Sequence, residues 1–296
     1  MEETPEKKPA SPAMRLLKLI AKIAVTALCF WYISRKIDLP QVGRALTSAH
    51  PGYLLAAWIF FLLSKWASAI RLNIYFRNIS LSLPAGANLR LYWLGMFYNL
   101  FLPGAISGDA YKVILLTKRY GIPYKKTAAA VLLDRFSGLL ALGIILAAYG
   151  GIVLNNYPYE GLLVACAALA TAGLYYGIYF YFRDFLPGFW PTFYWGLAVQ
   201  LLQVACVYGI VLALGLPAGQ HAWIFIFLAA AVISVLPVSL GGGLGTRELV
   251  FVEGARFFHL DQQMALVVSL LFYLITVLGS APGLYYVFRD PLPAAD

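Results

Sequence analysis

Two broken apolar stretches constrain the fold of this chain more than any other feature. Leu102–Lys112 reads LPGAISGDAYK and Leu236–Glu248 reads LPVSLGGGLGTRE. Each is a Leu-Pro followed by small residues and glycines and then by charge, inside otherwise apolar sequence. A helix does not run through such a stretch, because proline lacks the backbone donor and glycine loses the most chain entropy on ordering. Unwound backbone at membrane depth persists only where protein or a water-filled cavity satisfies its polar groups. Corresponding breaks in two halves of a membrane protein point to a transport site between them. The two breaks are therefore read as the working centre.

Membrane depth follows from composition: 61% of residues are hydrophobic and only 12% charged, against roughly 25% charged in soluble domains. The fold class expected is all-α, a polytopic helical membrane protein. A net charge of +9 would suggest nucleic acid in a soluble chain. Here positive-inside loops and anionic headgroups account for it, and no nucleic-acid partner is expected. Cys29, Cys166 and Cys206 stand alone in apolar spans, and His50, His221 and His259 fall at span ends. Neither set has metal-ligand, disulfide or haem spacing, so no metal or cofactor is expected.

Taken in order, residues 1–14 form a polar, disordered cytoplasmic tail rather than a cleaved signal. A first span covers Leu16–Ser34, and its basic flank (Lys7, Lys8, Arg15, Lys18) places the N-terminus in the cytoplasm. A second, Tyr53–Tyr75, holds Lys65 near its middle and ends at Arg71 and Arg77; Lys65 and Arg71 are both long enough to snorkel to the cytoplasmic face, and that is the reading taken for Arg71. If Leu89–Leu102 then crossed alone, Lys112, Lys118, Arg119, Lys125 and Lys126 would face outward, against the positive-inside rule. A re-entrant hairpin over 85–120 keeps them inside. Further spans are expected over Ala128–Leu154, Gly161–Phe182, Phe193–Leu214 and Ala265–Phe288. A second hairpin, 222–258, enters from the outer face. The sum is six full spans plus two oppositely oriented re-entrant helical hairpins, an inverted pseudo-repeat within one membrane domain, 15–290, followed by a short tail, 291–296. Eight spans with discontinuous helices is the alternative. Trp31, Tyr32, Trp190, Trp195, Trp223, Tyr285 and Tyr286 fall at span borders as interface anchors.

The first break contributes Gly104 and Gly108, with Ser107 and Asp109 placed to cap the returning helix. Bare N–H groups at a helix start favour phosphate, and Lys112 adds a full charge. Asp109 competes with an anion for those donors, or pairs with a base, or exchanges a proton. Asn99, one turn before the break, is placed to bond freed backbone groups. Asp134–Arg135 lies deep in the third span, where a charge costs at least ~2.5 kcal/mol. Arg135 either grips phosphate with two parallel bonds or bridges to Asp109 and holds the hairpin. The second break offers Gly241, Gly242 and Gly245, then Thr246, Arg247 and Glu248, an anion cradle with Arg247 as the fixed charge. A purely structural network through Glu248 is the competing reading.

NLFLPGAISGDAYK, LDRFSG and LPVSLGGGLGTRE, in this order, resemble the lysylphosphatidylglycerol synthase transmembrane-region family over nearly the whole chain after the tail. Ser107 and Lys112 stand where that pattern usually has Gly and Arg. The family includes the flippase half of the bacterial multiple peptide resistance factor, and the resemblance implies a lipid-handling protein of the bacterial or archaeal cell membrane with both termini cytoplasmic. Its cargo would be an anionic or aminoacylated phospholipid or a polyprenyl-phosphate lipid, moved between leaflets. Lysyl transfer belongs to a soluble domain in the two-part members, and no catalytic constellation stands in these residues. A homo-oligomer or a lipid-synthesis partner fits such a role. The alternative is a membrane enzyme, or an accessory subunit, of lipid or glycolipid synthesis.

Overall fold

The computed structural model describes residues 43–44, 47–101, 107–154, 160–217, 219–235 and 246–292. These belong to the compact unit Pro40–Asp296. The expected N-terminal tail and first span, Leu16–Ser34, lie outside the described residues, as do Trp31, Tyr32, Gly104, Gly241, Gly242 and Gly245.

The described residues form helices and no strands. Five helical stretches are long and apolar enough to cross a membrane: Pro51–Asn78, Tyr124–Val153, Gly161–Tyr181, Arg183–Ala213 and Gln262–Phe288. They carry helices α1 (Pro51–Asn78), α4 (Tyr124–Val153), α5 (Glu160–Tyr181), α6 (Phe189–Ala213, after a 3-10 turn at Arg183–Gly188), α9 (Gln262–Ser280) and α10 (Pro282–Phe288). The chain is a polytopic helical membrane protein. Four shorter helices flank the two breaks: α2 (Ala85–Phe101), α3 (Ser107–Tyr120), α7 (Ala222–Val235) and α8 (Thr246–Phe257). With 17, 14, 14 and 12 residues, they reach about 18–26 Å, short of a hydrocarbon core of ~30 Å. Helix α2 packs on α3, and α7 on α8.

Hydrogen bonds at the helix ends define two faces. On one, the Asn78 amide donates to the Phe185 carbonyl (3.2 Å), Lys126 pairs with Asp184 (2.8 Å) and Arg119 with Asp290 (2.8 Å). This face gathers the ends of α1, α3 and α10 and the start of α4, and carries Arg77, Lys118, Arg119, Lys125, Lys126, Arg183 and Arg289. On the other, the His50 N–H donates to the Ala213 carbonyl (2.8 Å) and His221 bonds the Tyr208 hydroxyl (2.8 Å). In the sequence, 154–160 and 214–221, which follow α4 and α6, hold no lysine or arginine. Both outer ends of α2–α3 lie on the basic face. Both outer ends of α7–α8 lie on the other, tied by the Phe225 and Phe258 rings, 5.8 Å apart and edge to face.

Apolar side chains fill the two halves and leave a polar layer between them. Toward the base-poor face, Phe61, Val207, Ile210, Phe227, Phe251 and Phe272 form one buried cluster. Toward the basic face, Leu72, Phe76, Leu91, Leu116, Leu133 and Phe189 form another. Between them three of the long helices contribute polar groups: Ser64, Lys65 and Ser68 from α1, Asp134, Arg135 and Ser137 from α4, and Gln200 and Gln203 from α6. Outside, Leu55, Ile59, Leu63, Leu132, Leu162, Leu169 and Leu278 are exposed, as bilayer-facing surfaces require. Cys166 is exposed on α5 and Cys206 is buried in the core. Trp223 departs from the expected interface role. It is 1% exposed, and its indole N–H donates to the Gln220 side chain (2.9 Å).

Candidate functional site

The first break is held by contacts that only glycine permits. A methyl at Gly108 would overlap the backbone carbonyl of Gly95, and a methyl at Gly95 would overlap the Lys112 side chain. Backbones of α2 and α3 therefore touch, the close approach small residues give membrane helices. The cap on the returning helix comes from Asn99, whose Oδ1 accepts the Gly108 N–H at 2.7 Å. Asp109 does not cap α3 with its side chain. One carboxylate oxygen takes the Lys112 ammonium (3.0 Å) and the other takes Arg135 of α4. Of the sequence alternatives for Asp109, pairing with bases is what the structure has, and the Arg135 bridge locks α3 to α4. Lys112 is buried, with its ammonium 4.6 Å from the centre of the Tyr92 ring.

Asp134 turns away from its neighbour Arg135, since adjacent helical residues point about 100° apart. Its carboxylate accepts from Arg71 Nε at 2.8 Å, with both side chains buried. The snorkelling expected of Arg71 is thus wrong. The guanidinium lies against Gly138 on α4, where an added methyl would stand 3.0 Å from Nη1 and Nη2. Space left by that glycine and a fixed carboxylate hold the cation inside. Lys65 does not reach the basic face either. Its ammonium sits 4.5 Å from the centre of the Phe61 ring, one turn back along α1, as the N-terminal tilt of helical side chains dictates.

At the second break α8 opens with Thr246, Arg247 and Glu248. Arg247 is buried, its guanidinium 5.1 Å from the centre of the Phe272 ring on α9. Ser269, also on α9, donates its hydroxyl to Glu248 (3.2 Å). The first turn thus carries one cation, Arg247, and one carboxylate, Glu248, which offset each other, and leaves the partial positive charge of the helix start itself.

A cavity of about 330 Å³ lies in the polar layer where the broken ends converge. Helix α2 supplies Tyr92, Met96 and Asn99, α7 supplies Phe227, Ala231 and Ser234, and α8 supplies Arg247. Lys65 of α1, Arg135 of α4, Gln200 and Gln203 of α6, and Thr276 and Ser280 of α9 complete the wall. Three cations line it, and no Asp or Glu among the described residues does. The chemistry of this lining suits an anion: cations to neutralise it, and amide and hydroxyl groups that can bond its oxygens.

Of the residues singled out in the sequence, the cavity brings together Asn99, Arg135 and Arg247. It does not include Ser107, Gly108, Asp109, Lys112, Asp134, Thr246 or Glu248, which build and fasten its walls. Lys65, Gln200 and Gln203 join Asn99, Arg135 and Arg247 in the wall, none of the three marked as a site residue by a motif. Two glutamines three residues apart in an otherwise apolar span put two amides on one helix face, which is the signal that marks them.

Comparison with known proteins adds a family. The family model described as the lysylphosphatidylglycerol synthase TM region matches residues 19–190, which span the first break and the LDRFSG motif but not the second break. Among curated proteins, the chain is 26% identical over 160 residues to Glycosyltransferase AglD of Haloferax volcanii, a match covering 54% of this chain and 25% of that one. The chain thus spans a quarter of that relative's length. With more than half of its length matched, across the helices that build the cavity wall from α1 to α4, the chain belongs to the lysylphosphatidylglycerol synthase TM region family.

Proposed function

We propose that this protein moves an anionic, phosphate-bearing lipid between the leaflets of a cell membrane. The observation that carries the reading is the cation-lined cavity at the convergence of two broken helix pairs. The headgroup occupies that cavity against Lys65, Arg135 and Arg247, while the acyl or prenyl tails stay in the bilayer. The basic face is cytoplasmic by the positive-inside rule. On that assignment α2–α3 enters from the cytoplasm and α7–α8 from the opposite side as re-entrant hairpins, an inverted arrangement suited to alternating access. Membership of a lipid-related family supports the lipid as cargo.

The test is leaflet exchange of fluorescent phosphatidic acid and phosphatidylglycerol, each in its own proteoliposomes. Arg135→Gln with Arg247→Gln removes two of the three cavity cations and keeps side-chain amides in their place. Exchange should fall to the protein-free level, with folding verified by thermal unfolding in detergent. Exchange at the wild-type rate would remove the cavity from the mechanism.

A second reading has one observation in its favour, the relative named a glycosyltransferase. In it the cavity presents a lipid phosphate to an enzyme that glycosylates it. Glycolipid formed by the purified chain from a lipid phosphate and a sugar nucleotide would put this reading first.

A further inference from the structure

Charge in the polar layer is unevenly matched. Five cations, Lys65, Arg71, Lys112, Arg135 and Arg247, face three carboxylates, Asp109, Asp134 and Glu248, so the described layer carries two positive charges in excess. Arg71 and Asp134 cancel one another. Asp109 bonds two cations, Lys112 and Arg135, and cancels one. Glu248, adjacent to Arg247 in the chain, balances that residue. Lys65 has no carboxylate within salt-bridge distance among the described residues, and its ammonium rests on the face of Phe61. The breaks themselves add nothing to the sum, since 102–106 reads LPGAI and 236–245 reads LPVSLGGGLG.

We infer that, on the translocation reading above on which this rests, the lipid carried is a phosphate monoester, with the phosphate at the end of the headgroup. Buried charge is held where it is neutralised, and a phosphate monoester brings about −1.5 to −2 at neutral pH. A phosphodiester brings one negative charge and leaves one cation unmatched. A lysyl ester of a phosphodiester lipid is a net cation and adds to the excess. Geometry agrees with charge. A monoester has three terminal oxygens, and the cavity presents three cations from three helices, Lys65, Arg135 and Arg247. Gln200 adds an acceptor: its Oε1 is buried without a donor among the described residues. It accepts the P–OH proton whenever the monoester is singly protonated, and a diester has no such proton.

The experiment uses the full chain in dioleoylphosphatidylcholine nanodiscs carrying one of three lipids with the same tails: dioleoylphosphatidic acid, dioleoylphosphatidylglycerol or lysyl-dioleoylphosphatidylglycerol. Lipid retained by the protein is read by native mass spectrometry. Phosphatidic acid should be held roughly tenfold or more tightly than phosphatidylglycerol, the gain of one further charge-assisted contact, with the lysyl ester at the background level. Lys65→Gln should close the gap between the first two, and Lys65→Arg should keep it. Should Lys65→Gln fail to fold, the wild-type series and Lys65→Arg still decide. Equal retention of the two anionic lipids, preference for the lysyl ester, or a folded Lys65→Gln that keeps the gap would each overturn the monoester assignment and leave translocation standing. Retention of none of the three above background would instead overturn the lipid reading itself. Inorganic phosphate is the remaining arm. It should not displace phosphatidic acid at equal concentration, and displacement there would assign the cavity to a soluble phosphate.

Discussion

The Arg71–Asp134 pair gives the sharpest test of how the polar layer is held. Its side chains are 6% and 10% exposed, and the Nε–Oδ1 distance is 2.8 Å. Asp134→Asn leaves a guanidinium inside the bundle with no counter-charge, and Arg71→Gln leaves a carboxylate in the same position. Removing one partner of a buried pair costs about 3–5 kcal/mol. Arg71 Nη1 has no acceptor among the described residues, so the lower end of that range, ~3 kcal/mol, is expected. That lowers the folded-to-unfolded ratio by roughly two powers of ten. The double variant Arg71→Gln, Asp134→Asn removes both charges and keeps polar side chains of similar size, so its loss should fall well below the sum of the singles. The assay is denaturant unfolding in mixed micelles, followed by tryptophan fluorescence for all four proteins of the cycle. Single losses within ~0.5 kcal/mol of wild type, or a double loss equal to the sum within the usual ~0.5 kcal/mol of additivity, would refute a buried, coupled pair.

Two further outcomes follow from the geometry. Gly108→Ala sets a methyl onto the Gly95 carbonyl, which is backbone and cannot swing aside. It should cost about 1–3 kcal/mol and show as a lower thermal unfolding midpoint, whereas Gly86→Ala, with open space around the added methyl, should leave the midpoint in place. With Cys29, Cys166 and Cys206 replaced by alanine, single cysteines at Lys125 and Gln220 should react with a membrane-impermeant maleimide from opposite sides. Labelling of both from one side would contradict the two-face arrangement.

Local chemistry alone determined a good deal of this protein. Long apolar runs specified the described spans to within a few residues. Proline next to clustered glycine specified where the short helices stop, because proline lacks the backbone donor and each glycine adds an entropic cost to continuing the helix. Asn99, one turn before the break, was legible as the group that bonds freed backbone. Side-chain partnership was not. Arg71 looked like a residue near a helix end until α4 brought Asp134 beside it from 63 positions away. Lys112 looked like a ligand group until Asp109 and the Tyr92 ring enclosed it. Lys65, a lone lysine in an apolar span, had no legible role until its place in the cavity wall gave it one. Hydropathy depends on neighbours in the chain, so the sequence carries it. Which charges meet depends on how each helix is rotated about its axis and how closely glycine lets it approach the next, and only the packed bundle decides that.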